Sequence, residues 1–234
     1  MNWYPWLNEP YRQIITAYQS GRGHHALLLH SMPGNGAQAL CYGISRWLIC
    51  QERDGLKSCG QCHSCRLMLA GNHPDYHILE VEKGKSTVSV DAVRKLIETL
   101  SRHAQQSGNK VVYIPQVEAL TDAAANALLK TLEEPAKDTY FLLGSDKQED
   151  LLATIRSRCL SHFLPAPDLQ IALYWLQKQK PGIATENAIT ALKICQGAPV
   201  SALALLDEQR WQKRNALCHS LSHALQTGDM LSLL

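Results

Sequence analysis

Two hydrophobic rhythms alternate along the first two thirds of the chain. Short runs dominated by apolar residues, Ala26–Leu29, Tyr76–Val81, Lys110–Ile114, Tyr140–Leu143 and His162–Leu164, read as strands, the first of them buried. Between them apolar residues recur at three- and four-residue intervals. Pro10–Ser20 is one such helix, with proline in its first turn and Gly21-Arg22-Gly23 at its end. Ala37, Leu40, Cys41, Ile44, Trp47 and Leu48 mark a second, running to Cys50. A third, Val90–His103, opens near Ser89 or Asp91 and carries Val93, Leu96, Ile97 and Leu100 on one face. Asp122–Glu134 is a fourth, capped by Thr121 or Asp122 and stopped by Pro135.

Strands alternating with helices predict an α/β domain over residues 1–165, a parallel sheet with helices on both faces. Leu164-Pro165-Ala166-Pro167-Asp168 is a stiff connection, and the chain beyond it has only helical patterns. A small helical domain is expected over 166–207. Segments around Trp211–Leu225 and Met230–Leu234 read as the beginning of a third helical unit over 208–234, which stops without a capping signal.

At 234 residues and 45% apolar, the chain can bury a sizeable core and reads as soluble and globular. A formal charge of +2 excludes a protein that wraps nucleic acid by itself, so any DNA role is shared with partners. The first ten residues, Met1 to Pro10, lack the basic and apolar regions of a signal peptide, and no segment approaches membrane-spanning length. A cytoplasmic protein without a membrane partner is expected. In that reducing compartment, eight cysteines point to metal binding or buried thiols more than to disulfides.

Four of them are clustered. Cys50, Cys59, Cys62 and Cys65 follow C-x8-C-x2-C-x2-C within a polar stretch without apolar periodicity. Two-residue gaps let neighbouring thiolates turn toward one tetrahedral ion, and four sulfurs close a structural zinc site with no open position. His63 or His73 could replace one thiolate, most readily the distant Cys50; the alternative is a set of free surface thiols. Cys41, Cys159, Cys195 and Cys218 sit in apolar patterns and read as core residues or motif neighbours.

Between the first strand and its helix lies His30-Ser31-Met32-Pro33-Gly34-Asn35-Gly36-Ala37-Gln38, framed like a turn that cradles nucleotide phosphates. A working loop needs a lysine for the β/γ-phosphates and a hydroxyl for Mg²⁺, yet Ala37 and Gln38 stand there. Charge-assisted hydrogen bonds are worth roughly 1.5–3 kcal/mol each, so their joint loss leaves little affinity for ATP. Read alone, Pro33-Gly34-Asn35-Gly36 is equally an ordinary turn.

The phosphate-loop frame, the four-cysteine insertion, Asn72-His73-Pro74-Asp75, the helix Leu120–Pro135 with its Leu128-Leu129-Lys130-Thr131-Leu132-Glu133-Glu134-Pro135 run, and Ser157-Arg158-Cys159 occur in that order. Together they resemble bacterial DNA polymerase III clamp-loader subunits of the AAA+ family, over essentially the whole chain. The resemblance implies a P-loop NTPase-like five-stranded sheet, a zinc module at about 50–65, a helical lid and the start of a helical collar.

It also implies that nucleotide chemistry is lost. Ser31 replaces the first glycine of the loop, whose frame keeps Gly34 and Gly36, and Ala37 and Gln38 replace its lysine and threonine. Pro115 and Gln116 take the places of the Asp-Glu pair that holds Mg²⁺ and activates water; Val200 takes that of the arginine in the lid's Gly-x-x-Arg sensor. The other sensor falls at Ser145 or Asp146. The implied protein binds no ATP and is not an enzyme. It serves as a structural subunit beside an ATPase subunit and a delta-type subunit, helping to load the sliding clamp onto primed DNA in replication. Arg158 is the implied exception, an arginine finger acting in trans on a neighbour's ATP. Without the resemblance, Arg158 or Arg156 reads as a partner for a carboxylate at a helix end. The functional alternatives are an active ATPase with an atypical loop and a zinc-dependent nucleic-acid-binding module.

Other features read as structural. The Leu128, Leu129 and Leu132 stripe is core, and Glu133-Glu134 a solvated helix end. Lys83, Lys85, Arg94 and Lys95 form a modest basic stretch, solvated or touching a DNA phosphate. Trp3, Tyr4 and Trp6 are expected to pack the N-terminus over the sheet.

Overall fold

Strand residues turn alternate side chains to opposite faces, and a strand buried on both sides needs apolar residues at every position. In the computed structural model, which describes residues 2–106, 108–147 and 150–227, the three central strands of the sheet are buried at nearly every position, whereas its two edge strands are exposed at several. After a 3₁₀ turn at Pro5–Leu7, the chain forms α1 (Asn8–Gln19), β1 (Ala26–Ser31), α2 (Ala37–Ile49), α3 (His63–Leu69), β2 (Tyr76–Ile78), α4 (Val90–Leu100), β3 (Lys110–Ile114), α5 (Asp122–Glu133), β4 (Thr139–Ser145), α6 (Ala153–Arg156) and β5 (Leu160–Leu164). The strands are ordered β2-β3-β4-β1-β5 and every pairing is parallel. Ala26, Leu28, Val112, Ile114, Phe141 and Leu143 face one layer, with α4 and α5. Leu27, Leu29, Val111, Tyr113 and Leu142 face the other, with α1 and α2.

Local chemistry sets the helix starts. The Thr121 hydroxyl accepts the Ala124 N–H (3.2 Å) at the head of α5, and Ser89 does the same for Ala92 (3.4 Å) in α4. Leu128 and Leu132 are fully buried beneath α5, and Leu129 is partly buried against the same core. α4 stops at Leu100, short of the expected His103, where the Arg102 N–H turns to the Thr99 carbonyl and the Ser101 hydroxyl donates to Ile97. β2 is also shorter than its apolar run. It lies at the sheet edge with β3 as its single neighbour, and pairing ends at Ile78 opposite Tyr113.

The N-terminal aromatics divide. Tyr4 and Trp6 stack with ring centroids 5.0 Å apart and pack against the α1/α2 core. Trp3, expected over the sheet, instead lies on α2 and stays 43% exposed. A Cβ at Gly43 would come within 2.8 Å of its ring.

A second unit comprises the described residues from Ala166 onward together with Pro33–Asn35. Its helices are α7 (Leu169–Gln179), α8 (Thr185–Ile194), α9 (Pro199–Leu205) and α10 (Glu208–Thr227). Ala172, Leu176, Ala188, Ala191, Leu192, Ala202 and Leu206 form its core, against which Trp211 packs. The Trp211–Leu225 segment lies within α10, whereas Met230–Leu234 fall outside the described residues. Cys218, read as a core residue or motif neighbour, is exposed on α10, whose buried residue is Ala224. No single described helix is long and apolar enough to cross a membrane.

Candidate functional site

The four clustered cysteines come from three local contexts. Cys50 follows the last residue of α2 in extended conformation, Cys59 stands in the loop, and Cys62 and Cys65 cap and enter α3. Gly60, at φ +77°, makes the turn between Cys59 and Cys62 that a side chain would strain. All four sulfurs lie within 4.8 Å of one another. The Cys50–Cys59 and Cys59–Cys65 sulfur separations are 3.6 and 3.9 Å. Metal–thiolate bonds of about 2.3 Å in tetrahedral array put sulfurs about 3.8 Å apart, so the cluster could hold a metal ion as it stands.

Backbone donors already face the sulfurs. The Cys59 N–H donates to Cys50 Sγ (3.3 Å), Cys62 N–H to Cys59 Sγ (3.2 Å) and Cys65 N–H to Cys62 Sγ (3.4 Å). Such bonds favour thiolates. At Cys62, burial raises the pKa, but hydrogen bonds from the Cys65 and Gln51 backbones and from neighbouring thiols outweigh it and bring the thiol down to about 6. Burial pushes Cys65 up to about 12 and also raises Cys50. Neither histidine joins the group. His63 is exposed at the start of α3, and His73 is buried with its Nδ1 accepting the Asp75 N–H (3.1 Å). The loop is otherwise held by polar bonds to backbone, Trp47 and Gln19 to Gly55 and Tyr11 to Leu56. The polar stretch without apolar periodicity nonetheless contains a helix, α3. Its helical signal, Met68 buried one turn beyond Cys65, is hidden among polar residues.

Ser31 ends β1 as a buried residue, and Gly36 caps α2 in the left-handed region, φ +91°. Ala37 and Gln38 are therefore the first two residues of α2, where a phosphate-binding loop places its lysine and hydroxyl. In the second unit, Val200 near the start of α9 donates its backbone N–H to the Gly34 carbonyl (3.2 Å). The Ser201 hydroxyl donates to Pro33 (2.7 Å), and a Cβ at Gly34 would meet that hydroxyl at 2.2 Å. At the end of β3, Pro115 and Gln116 follow Ile114. The Pro115 carbonyl passes so close to Gly144 of β4 that a Cβ there would lie 2.4 Å away.

One acidic residue beside this strand end escapes motif reading. Glu118 Oε1 accepts the Asp146 N–H (3.0 Å), and the Ser145 hydroxyl accepts that of Lys147 (3.2 Å). Burial, then the Glu118 charge, holds the Asp146 carboxyl above its ordinary range. Glu118 lies in a 3₁₀ turn with no spacing to set it apart in sequence. The motif Asn72-His73-Pro74-Asp75 also has a packing role, since the buried Asp75 carboxylate accepts the Gln105 and Gln106 N–H groups at 2.7 and 2.8 Å.

Arg158 lies just beyond α6. Its Nε and Nη2 donate to Glu133 Oε2 at 3.2 and 3.1 Å, and its Nη1 to the Thr154 carbonyl at 3.0 Å. The pairing with a helix-end carboxylate weighed from sequence is thus present within the chain, and Glu133 is more than a solvated acid. Its 25-residue separation from Arg158 gives no sequence signal. Arg156 is exposed. Burial pushes the Cys159 thiol up to about 12, as befits a thiol packed against the α4/α5 core. In the basic stretch, Lys85 pairs with Glu82 and Arg94 with Asp91, both locally and in solvent.

Comparison with known proteins gives one consistent family. The family described as "DNA polymerase III, delta subunit" matches residues 6–167, and "DNA polymerase III subunit delta', AAA+ ATPase lid domain" matches 167–207. The delta' subunit of Yersinia pestis is 59% identical over the whole chain, which spans 70% of that protein. That of Escherichia coli K12 is 49% identical with the same coverage. Among solved structures, a DNA polymerase III gamma subunit-related protein from Thermotoga maritima aligns with TM-score 0.56 at 18% identity, covering 89% of this chain and 61% of that one. The RuvB Holliday junction branch migration motor from the same organism aligns with TM-score 0.52 at 15% identity, over 85% of this chain and 59% of that one. At such identities these two neighbours speak for the AAA+ fold alone.

Proposed function

The chain belongs to the DNA polymerase III delta' family, and from that premise we propose that it is a structural clamp-loader subunit that binds no ATP and lends Arg158 to a neighbour's nucleotide. The contrast between α2, which opens on Ala37 and Gln38, and the intact Ser157-Arg158-Cys159 triplet carries this reading. Backbone N–H groups at a helix start attract phosphate, but ATP affinity and turnover also need the lysine, the metal-holding hydroxyl and the carboxylates. Pro115, Gln116 and Val200 supply none of these. A guanidinium needs no nucleotide on its own chain to stabilise charge on a transferring phosphoryl group across an interface.

Its partners are then an ATPase subunit and a delta-type subunit, with the sliding clamp and primed DNA reached through the complex in the cytoplasm. Cys50, Cys59, Cys62 and Cys65 hold zinc, which with four protein ligands orders the loop and takes no part in chemistry. The test is a complex reconstituted with the ATPase partner, clamp and primed DNA. Arg158→Ala should leave assembly intact and lower turnover at the site it serves by about 10³-fold or more. Unchanged clamp- and DNA-stimulated turnover would refute the assignment.

A further inference from the structure

We propose that Glu133 is a positioning residue for Arg158, holding the guanidinium with its outer edge turned to a phosphate. The inference rests on the finger reading above and adds the group that makes the finger ready. A guanidinium has five N–H donors in a fixed plane. Here the Glu133 carboxylate takes two from one side edge, Nε–H and one hydrogen of Nη2, and the Thr154 carbonyl takes one of Nη1. One N–H on each terminal nitrogen remains, the complement needed for a phosphoryl group with two acceptor oxygens. The carboxylate therefore fixes the plane without using up the donors.

Both acceptors belong to residues that adjoin the buried core. Glu133 is the last residue of α5, directly after the fully buried Leu132 and five residues beyond Leu128. Thr154 precedes Ile155, which is 2% exposed and belongs to the same core. A long side chain attached at one end samples many rotamers; bonded to two anchored acceptors it samples few. With side-chain exposures of 29% for Arg158 and 60% for Glu133, the pair adds little to stability. Its consequence is orientation.

The experiment uses the full-length protein in the reconstituted complex and compares Glu133→Gln, Arg158→Ala and the double variant. Glu133→Gln should lower kcat at the served site about fivefold, the rate equivalent of a partly exposed ion pair, with KM for ATP and assembly unchanged. The double variant should match Arg158→Ala alone, because a positioning residue has nothing to act on once the arginine is gone. A loss with Arg158→Ala but none with Glu133→Gln overturns this proposal and leaves the finger standing. Additive losses overturn it too, since Glu133 would then act independently. No loss with Arg158→Ala overturns the finger reading and this one with it.

Discussion

Replacing Cys59 by serine removes one sulfur from the cluster and also the acceptor of the Cys62 N–H. Ordering a backbone residue costs about 1–2 kcal/mol, so even ten residues of the loop between Cys50 and Cys62 set roughly 10–20 kcal/mol against folding. The loop has almost no apolar core to offset this; its buried cluster is made of the cysteines themselves. Structural zinc contributes an apparent 10–16 kcal/mol, on the order of what is missing. Cys59→Ser should therefore lose tight zinc and open the loop locally, while the sheet persists on its separate cores. Three amides report the opening, those of Cys59, Cys62 and Cys65, each bonded to a sulfur. A hydrogen bond to a charged acceptor is worth about 1.5–3 kcal/mol, so their exchange should quicken by about ten- to a hundredfold. Exchange at the Asp54 and Lys57 amides, which donate to each other's carbonyls (3.0 and 2.8 Å), should change less, because Trp47, Gln19 and Tyr11 hold that turn through the Gly55 and Leu56 carbonyls without the metal. The assay is zinc content per chain with residue-resolved hydrogen exchange, in wild type before and after chelation and in the variant. Undiminished zinc affinity in the variant, or slow exchange at all three amides after chelation, would refute the reasoning. So would exchange quickening equally in β3, which would mean that the metal supports the whole fold.

Two further outcomes are expected. Titrating the isolated protein with MgATP should give no saturable binding at micromolar concentrations, because Ala37, Gln38, Pro115 and Gln116 supply neither lysine, hydroxyl nor carboxylate; saturation by calorimetry would restore the active-ATPase alternative. His73 gives a pH dependence: burial, opposed by the Asp75 charge, holds its pKa below the ordinary 6.5. The unfolded chain then takes up the proton first, so this contribution is intact above about pH 6.5 and stability falls below it, by at most about 1.4 kcal/mol per pH unit. Urea midpoints at pH 7.5 and 5.5, with zinc saturating, should drop less for His73→Gln than for wild type, and equal drops would count against it.

The strand pattern was legible where burial on both faces leaves no choice of residue. Lys110–Ile114 reads and folds as the same segment. β5 begins two residues ahead of its expected start because Leu160 and Ser161 are exposed at the sheet edge, where pairing with β1 and not burial makes them strand. α3 escaped because its first turn is defined by a thiol cap and by sulfurs aimed at a common centre.

By itself the sequence determined the alternation of strands and helices, the caps at Ser89 and Thr121, and the four thiols as a group. These depend on neighbours a few residues apart, on turn chemistry and on the choice between water and a core. The tertiary structure alone decided which long-range partners meet. It brought Glu133 beside Arg158, set Glu118 against Asp146, moved Trp3 onto α2 and kept His63 and His73 out of the sulfur cluster. Local propensity cannot encode such pairings, because each depends on where two packed elements end in space.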